Sequence, residues 1–192
     1  IDGNIRYGQL NGYKNGLVVY DNEISGEIEV VSVTKIVDGF AKYVRNKLER
    51  TIIGPHETTL SRTELTSPDS AITSAARDIL AIKKLGADLY RFYYYDIAIN
   101  PSAESITVHY QDWDTYANTV SAETSQTAIL VPDTVGTYDG SFGVDTLTLG
   151  DTAYILYYFF DAPYGQSFVS AQPYIQIYVI SINLVSGAIT TD

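Results

Sequence analysis

The sequence predicts a mainly β protein with two helices: an antiparallel β-sandwich, of which a jelly roll is one form, with an extended N-terminal arm. Three observations carry this expectation. Tyr occurs 17 times in 192 residues, and Val, Ile and Thr are abundant, the side chains that suit a pleated, half-buried surface. Apolar runs recur through the second half, each ended by Pro, Gly or Asp, the punctuation of short antiparallel strands. Residues 1–16 stand apart, with four glycines and four Asn or Gln around isolated Ile1, Ile5, Tyr7 and Leu10.

Such an arm cannot bury enough apolar surface to fold alone. It becomes ordered by docking, on its own domain or on a neighbouring subunit. Residues 17–192 read as a single β-rich domain with helical insertions near 35–53 and 67–86. Leu17 to Tyr20 and Glu27 to Val33 read as strands, the second alternating acidic and apolar residues as a half-exposed strand would. From Lys35 to Ile53, the residues Ile36, Val37, Phe40, Val44, Leu48 and Ile52 recur at three- and four-residue spacing. Lys42, Arg45, Lys47, Glu49 and Arg50 fall largely on the other face, the pattern of an amphipathic helix.

Gly54 to Thr66 is polar and reads as an exposed loop. The second helix would start at Ser67 as N-cap with Pro68 in its first turn, and run through Ile72, Ala76, Ile79, Leu80 and Ile82 to Leu85-Gly86. The aromatic stretch Tyr90 to Tyr95 reads as a strand. Further strands are expected at Ser105 to Tyr110, Thr127 to Val131, Thr146 to Leu149, Ala153 to Phe160 and Tyr174 to Leu184.

Charge divides the chain sharply. All 12 Lys and Arg lie in residues 1–91, where 12 of the 23 acids balance them; the other 11 acids, in residues 92–192, hold the whole net charge of −11. A stretch without cations offers trypsin-like proteases no cleavage site and discharges in acid. It also excludes nucleic-acid recognition by this half, because that affinity depends on Lys and Arg neutralising phosphates. With no Cys there are no disulfides and no thiolate metal sites. A chain that opens on Ile1 and contains no Met reads as processed, and removal of a secretory leader is the expected processing. No run approaches the roughly 18 apolar residues of a membrane-spanning helix.

Catalytic patterns are scarce. His56 sits in the polar loop and His109 in an alternating strand, neither in metal-ligand spacing, and there is no HExxH pair to hold zinc. No glycine-flanked nucleophile elbow appears, and the glycine-rich Gly136 to Gly143 lacks the lysine of a phosphate loop. Neither an enzyme activity nor a cofactor is therefore expected. Two constellations remain. Tyr110, Trp113 and Tyr116, interleaved with Asp112 and Asp114, would stack and hold a sugar ring if exposed together, whereas a lone Trp in a sandwich commonly packs in the core. Asp139, Asp145 and Asp151, following Asp133 in an acidic turn series, are weak calcium ligands in prospect, since Asp also favours turns for local reasons.

The expected function is a non-enzymatic structural subunit that self-assembles into an extracellular, pilus-like filament, its partners being copies of itself. Long apolar strands such as Ala153 to Phe160 and Tyr174 to Leu184 are aggregation hazards unless an edge is covered. Strand addition by a neighbour covers it. Assembly contacts are expected from Ile1, Ile5, Tyr7 and Leu10 in the arm, and from Lys42, Arg45 and Arg50 meeting the acidic half of the next copy. A virion coat or tail subunit is the close alternative. A secreted carbohydrate-binding module built on Trp113 is a third reading, and a secreted hydrolase the least supported.

Overall fold

The computed structural model describes residues 5–6, 17–22, 25–37, 43–65, 78–100, 103–130, 142–161 and 174–191. These residues are almost all strand, in three antiparallel sheets. The first sheet orders β1 (Ile5–Arg6), β2 (Leu17–Asn22), β3 (Glu27–Val37), β4 (Tyr43–Gly54) and β5 (Thr58–Glu64) side by side. The second contains β6 (Asp78–Lys84), β7 (Leu89–Asn100), β8 (Ala103–Asp114) and β10 (Thr124–Leu130), with the short β9 (Thr119–Val120) folded back on β8. The third runs β11 (Phe142–Leu149), β12 (Thr152–Asp161), β13 (Tyr174–Asn183), β14 (Ile189–Thr191). Neighbours are consecutive in the chain except β8 and β10. Each sheet is thus a meander, where a jelly roll would interleave strands from distant parts of the chain.

The chain divides into two compact units, residues 1–94 with 110–124, and residues 95–109 with 125–192. All 12 cations belong to the first unit, and the second holds eight of the acids and no cation. The charge break after Arg91 therefore falls within three residues of the structural one at Tyr94.

In the first unit two sheets face each other. Val18, Val31, Val33, Leu48 and Leu65 pack against Ile79, Ile82, Tyr90, Phe92, Tyr94 and Trp113 in one buried cluster. Alternate residues of β7 supply three of its aromatic rings, as the two-residue period of a strand requires. Tyr90 and Phe92 lie 6.5 Å and 6.1 Å from the Trp113 ring, tilted against it. Such tilted pairs add about 0.5–1.5 kcal/mol beyond the area they bury.

Of the helix expected over 35–53, residues 38–42 lie outside the described residues, and the parts on either side are a strand pair. Residues to Val37 continue β3 and residues from Tyr43 form β4, with Val33 opposite Leu48, Val31 opposite Arg50 and Glu29 opposite Ile52. The physical reason lies in the spacing: Val44, Leu48 and Ile52 are four apart, which fits the helical period and is also a multiple of two. The β-branched Thr51-Ile52-Ile53 run then favours the strand. Of the second expected helix, residues 67–77 lie outside the described residues, residues 78–84 are β6, and Leu85 and Gly86 form the turn into β7, their backbone N–H groups donating to the Leu89 carbonyl. Ile79, Leu80, Ala81 and Ile82 are all buried, so this run is covered on both faces, which a continuous apolar strand satisfies and an amphipathic helix does not. The loop expected over 54–66 is a 3-10 turn at Pro55–Glu57 followed by β5, an edge strand exposed over most of its length.

In the second unit, β12 pairs with β13 through ten consecutive residues and with β11 through eight, without a register shift. Ala153, Ile155 and Tyr157 form one buried row with Ile180 and Ile182. The strands expected at 153–160 and 174–184 are β12 and β13, displaced by only a residue or so at their ends.

Candidate functional site

A set of charged side chains is drawn into the first unit. Its centre is Glu29. The apparent acid-out alternation of β3 is inverted: Glu29 shares the inward row with Val31 and Val33, whereas Ile28 is exposed. One Glu29 oxygen accepts hydrogen bonds from Arg50 Nε and Tyr90 Oη, the other from Lys84 Nζ. Arg50, opposite Val31 on β4, also donates through Nη1 to Asp88 Oδ1 at 2.7 Å and Thr115 Oγ1 at 3.1 Å, and through Nη2 to the Ala87 carbonyl at 3.1 Å. The Lys84 backbone N–H donates to Tyr20 Oη at 3.0 Å, and its ammonium lies 5.2 Å from the Tyr20 ring centroid.

Two carboxylates and two cations make this set neutral. Burial pushes the Glu29 carboxyl up, but the hydrogen bonds from Lys84, Tyr90 and Arg50 outweigh it and hold the group below the ordinary carboxylate value. Burial and the neighbouring Glu29 charge raise the Tyr90 hydroxyl far above its usual range. A carboxylate held ionised by three donors has no tendency to take up a proton at neutral pH, and a phenol so raised does not release one. The arrangement suits a polar lock between β3, β4, β6 and β7 better than acid–base catalysis.

On β7 and β8, Arg91, the last cation of the chain, forks onto Asp112 with Nε–Oδ1 2.6 Å and Nη2–Oδ2 2.8 Å, and its guanidinium lies 4.4 Å from the Tyr110 ring centroid. The Asp112 hydrogen bond raises its pKa further. Tyr110 in turn lies 5.4 Å from Tyr93.

The aromatic trio is thereby placed. Trp113 is fully buried in the core of the first unit, its indole N–H donating to Asn118 Oδ1 at 3.2 Å. Tyr110 carries Arg91. Tyr116 is 90% exposed on the turn after β8, where Asp114 Oδ1 accepts from the backbone N–H groups of Tyr116 and Ala117 at 2.9 Å each. The three do not share a surface. Asn118 takes the left-handed conformation at φ 54 that Asn tolerates, and its Nδ2 reaches the Glu64 carbonyl at 3.1 Å.

Of the arm, Ile5 belongs to β1 and pairs with Tyr20 while Arg6 pairs with Val19; Ile1, Tyr7 and Leu10 lie outside the described residues. Lys42 lies outside them as well, and Arg45 is placed on β4 opposite Ile36. Arg50, expected on an exposed basic face, has only 14% of its side chain accessible and is engaged inside the first unit. Asp145 Oδ1 accepts from the Thr146 backbone N–H at 2.9 Å, Asp151 is exposed in the turn between β11 and β12, and Asp139 lies outside the described residues. Among the described residues no three acidic or histidine side chains converge as metal ligands. His109 is buried in the second unit with Nε2 3.1 Å from Asp96 Oδ2.

Sequence reasoning missed the Glu29 lock. The available signal was the pair of chemical misfits in otherwise apolar strand rows, Glu29 beside Val31 and Val33, and Arg50 between Leu48 and Ile52. Opposite charges in matching rows of successive strands point to a buried pair.

The last surface of note is the outer face of the third sheet. Leu147, Leu149, Tyr158 and Ile177 are 48%, 59%, 39% and 61% exposed, and the register puts Leu147 beside Tyr154 and Tyr158 beside Ile177 on this same face. The Tyr158 ring lies over Gly143, where a Cβ would collide with it. No known protein family, curated protein or solved structure matches this chain.

Proposed function

We propose that this protein is a non-enzymatic structural subunit that polymerises into an extracellular surface filament, with the N-terminal arm of one copy adding as a strand to the next. The observation that carries the reading is β1. The described part of the arm is held by strand addition, through Ile5 opposite Tyr20 and Arg6 opposite Val19. Exchange from its own sheet to that of a neighbour re-forms the same kind of backbone hydrogen bonds, each contributing about 0.5–1.5 kcal/mol net, so it costs little. The absence of cations from the second unit adds support, because it disfavours packing of two such units on each other and favours contact with the unit that carries the bases.

Electron microscopy of the native protein tests the reading. The expected result is an open filament. After deletion of residues 1–16 the protein should remain a folded monomer by mass photometry and circular dichroism. Closed shells in the native sample would move the assignment to a virion subunit, and unchanged filaments after the deletion would remove the role of the arm.

A further inference from the structure

We infer that the outer face of the third sheet binds a neutral, extended polysaccharide, with the Tyr158 ring as its stacking platform; this goes beyond the filament reading and does not depend on it. Tyr158 stands in one register row with Gly143 and Ile177, and Tyr154, four residues back along β12, in another with Leu147 and Ser181. Opposed residues of paired strands project to the same side. The intervening Ala153, Ile155 and Tyr157 are buried on the other side, so the two tyrosines belong to the outer face.

The pose of Tyr158 is what points to a ligand. A Cβ built at Gly143 would meet Cζ of Tyr158 before either Oη or Cε2, so the glycine lies under the flat of the ring and not at its rim. The ring is thus laid face down on the sheet, and with 39% of the residue exposed its other face is turned to solvent. That face carries the negative side of the ring quadrupole. It attracts the weakly positive C–H groups on the flat side of a sugar ring. At ~3.3 Å per residue, Tyr154 lies about 13 Å further along the strand, so a flat ribbon of sugar rings laid along β12 reaches both tyrosines and covers Leu156 between them.

The polar groups and the charge select the same class. Ser181 Oγ and Thr190 Oγ1 lie 2.5 Å apart at the end of the Tyr154 row. Each hydroxyl offers one donor and two acceptor sites, and their mutual bond uses one of each, so the pair retains capacity for sugar hydroxyls. Among the described residues of this face the only charge is Asp145, opposite Leu156. The second unit holds eight acids and no cation, which repels anionic polymers and the same face of a second copy. An uncharged ligand meets neither obstacle.

Depletion of the full-length protein from solution by insoluble cellulose, chitin and mannan tests this. The expected result is retention on at least one of the three that added salt does not reduce, since no ion pair is involved. Tyr158→Ala should weaken retention about tenfold, the loss of one stacked ring, whereas Tyr158→Phe, which keeps the ring and drops the hydroxyl, should bind as wild type does. Gly143→Ala, which lifts the ring off the sheet, should weaken retention in the wild-type background and have no further effect beside Tyr158→Ala. Circular dichroism checks that each variant is folded. Retention on none of the three glycans, or equal retention by folded Tyr158→Ala, would overturn the inference. Electron microscopy of the same variants keeps it separate from the filament reading: Tyr158→Ala should polymerise as wild type does. Filaments lost in that variant, with no glycan retained by wild type, would make the face a contact between subunits, which overturns the glycan site and leaves the filament intact.

Discussion

Replacing Glu29 by Gln should destabilise the first unit by about 3 kcal/mol, the range found when one member of a buried charge set is removed. The size follows from what the carboxylate holds. It accepts from Arg50, Lys84 and Tyr90 together, and an amide can accept from only part of that set while turning its NH2 toward a cation. Arg50 keeps Asp88, Thr115 and the Ala87 carbonyl, and Lys84 is 30% exposed and reaches water. The fully buried Tyr90 bears most of the remaining loss, since a buried hydroxyl without an acceptor costs about 1–3 kcal/mol. At roughly 2–4 °C per kcal/mol for a chain of this length, the melting temperature should fall by about 6–12 °C. Trp113 is the only Trp and sits in the affected core, so its fluorescence in a urea titration reports this unit specifically. The pH dependence adds a sharper criterion. The folded carboxyl lies below its ordinary value of 4.5, so its contribution is complete above that pH and is lost as pH falls through the folded value. The gap between wild type and Glu29→Gln should therefore be full at pH 7 and close progressively below about pH 4.5. A loss under about 1 kcal/mol, or an equal loss at pH 7 and at the acid end, would refute the buried-lock argument.

Three further outcomes are expected. Asn118→Ala should lower stability by about 1–3 kcal/mol in the same fluorescence titration, because it removes the acceptor for the buried Trp113 indole and places Ala at φ 54. Gly143→Ala should displace the partly exposed Tyr158 ring at a cost of about 0.5–1.5 kcal/mol, read by thermal melting, with a Tyr158→Ala background absorbing most of the effect. The double variant Arg6→Cys with Val19→Cys should close a disulfide within one chain when oxidised, hold the arm on β2 and stop polymerisation until reduced; filaments growing equally well in both states would exclude arm exchange.

The strands of the second half were legible because each is a compact apolar run closed by a turn signal: Ala153 to Phe160 before Asp161, and Tyr174 to Leu184 before Ser186-Gly187. The segment 43–54 was not, since four-residue spacing of Val44, Leu48 and Ile52 serves either period, and only the pairing with β3 decides between them. The burial of Glu29 was hidden for a related reason. With Val30 and Val31 adjacent, both phases of β3 offer an apolar row, and the choice depends on partners 21 to 61 residues away in Arg50, Lys84 and Tyr90. Trp113 in the core was anticipated from its chemistry alone, a large ring with one donor to satisfy.

The confinement of every lysine to the first unit has a practical corollary for imaging. Amine-directed reagents, whether fluorophores, gold particles or fixatives, have no lysine to attack in residues 95–109 or 125–192. Decorated in this way, each copy in a filament would be marked on one unit and bare on the other. The spacing of the marks would report the axial rise per subunit, and any asymmetry in their placement would reveal the direction in which the filament points.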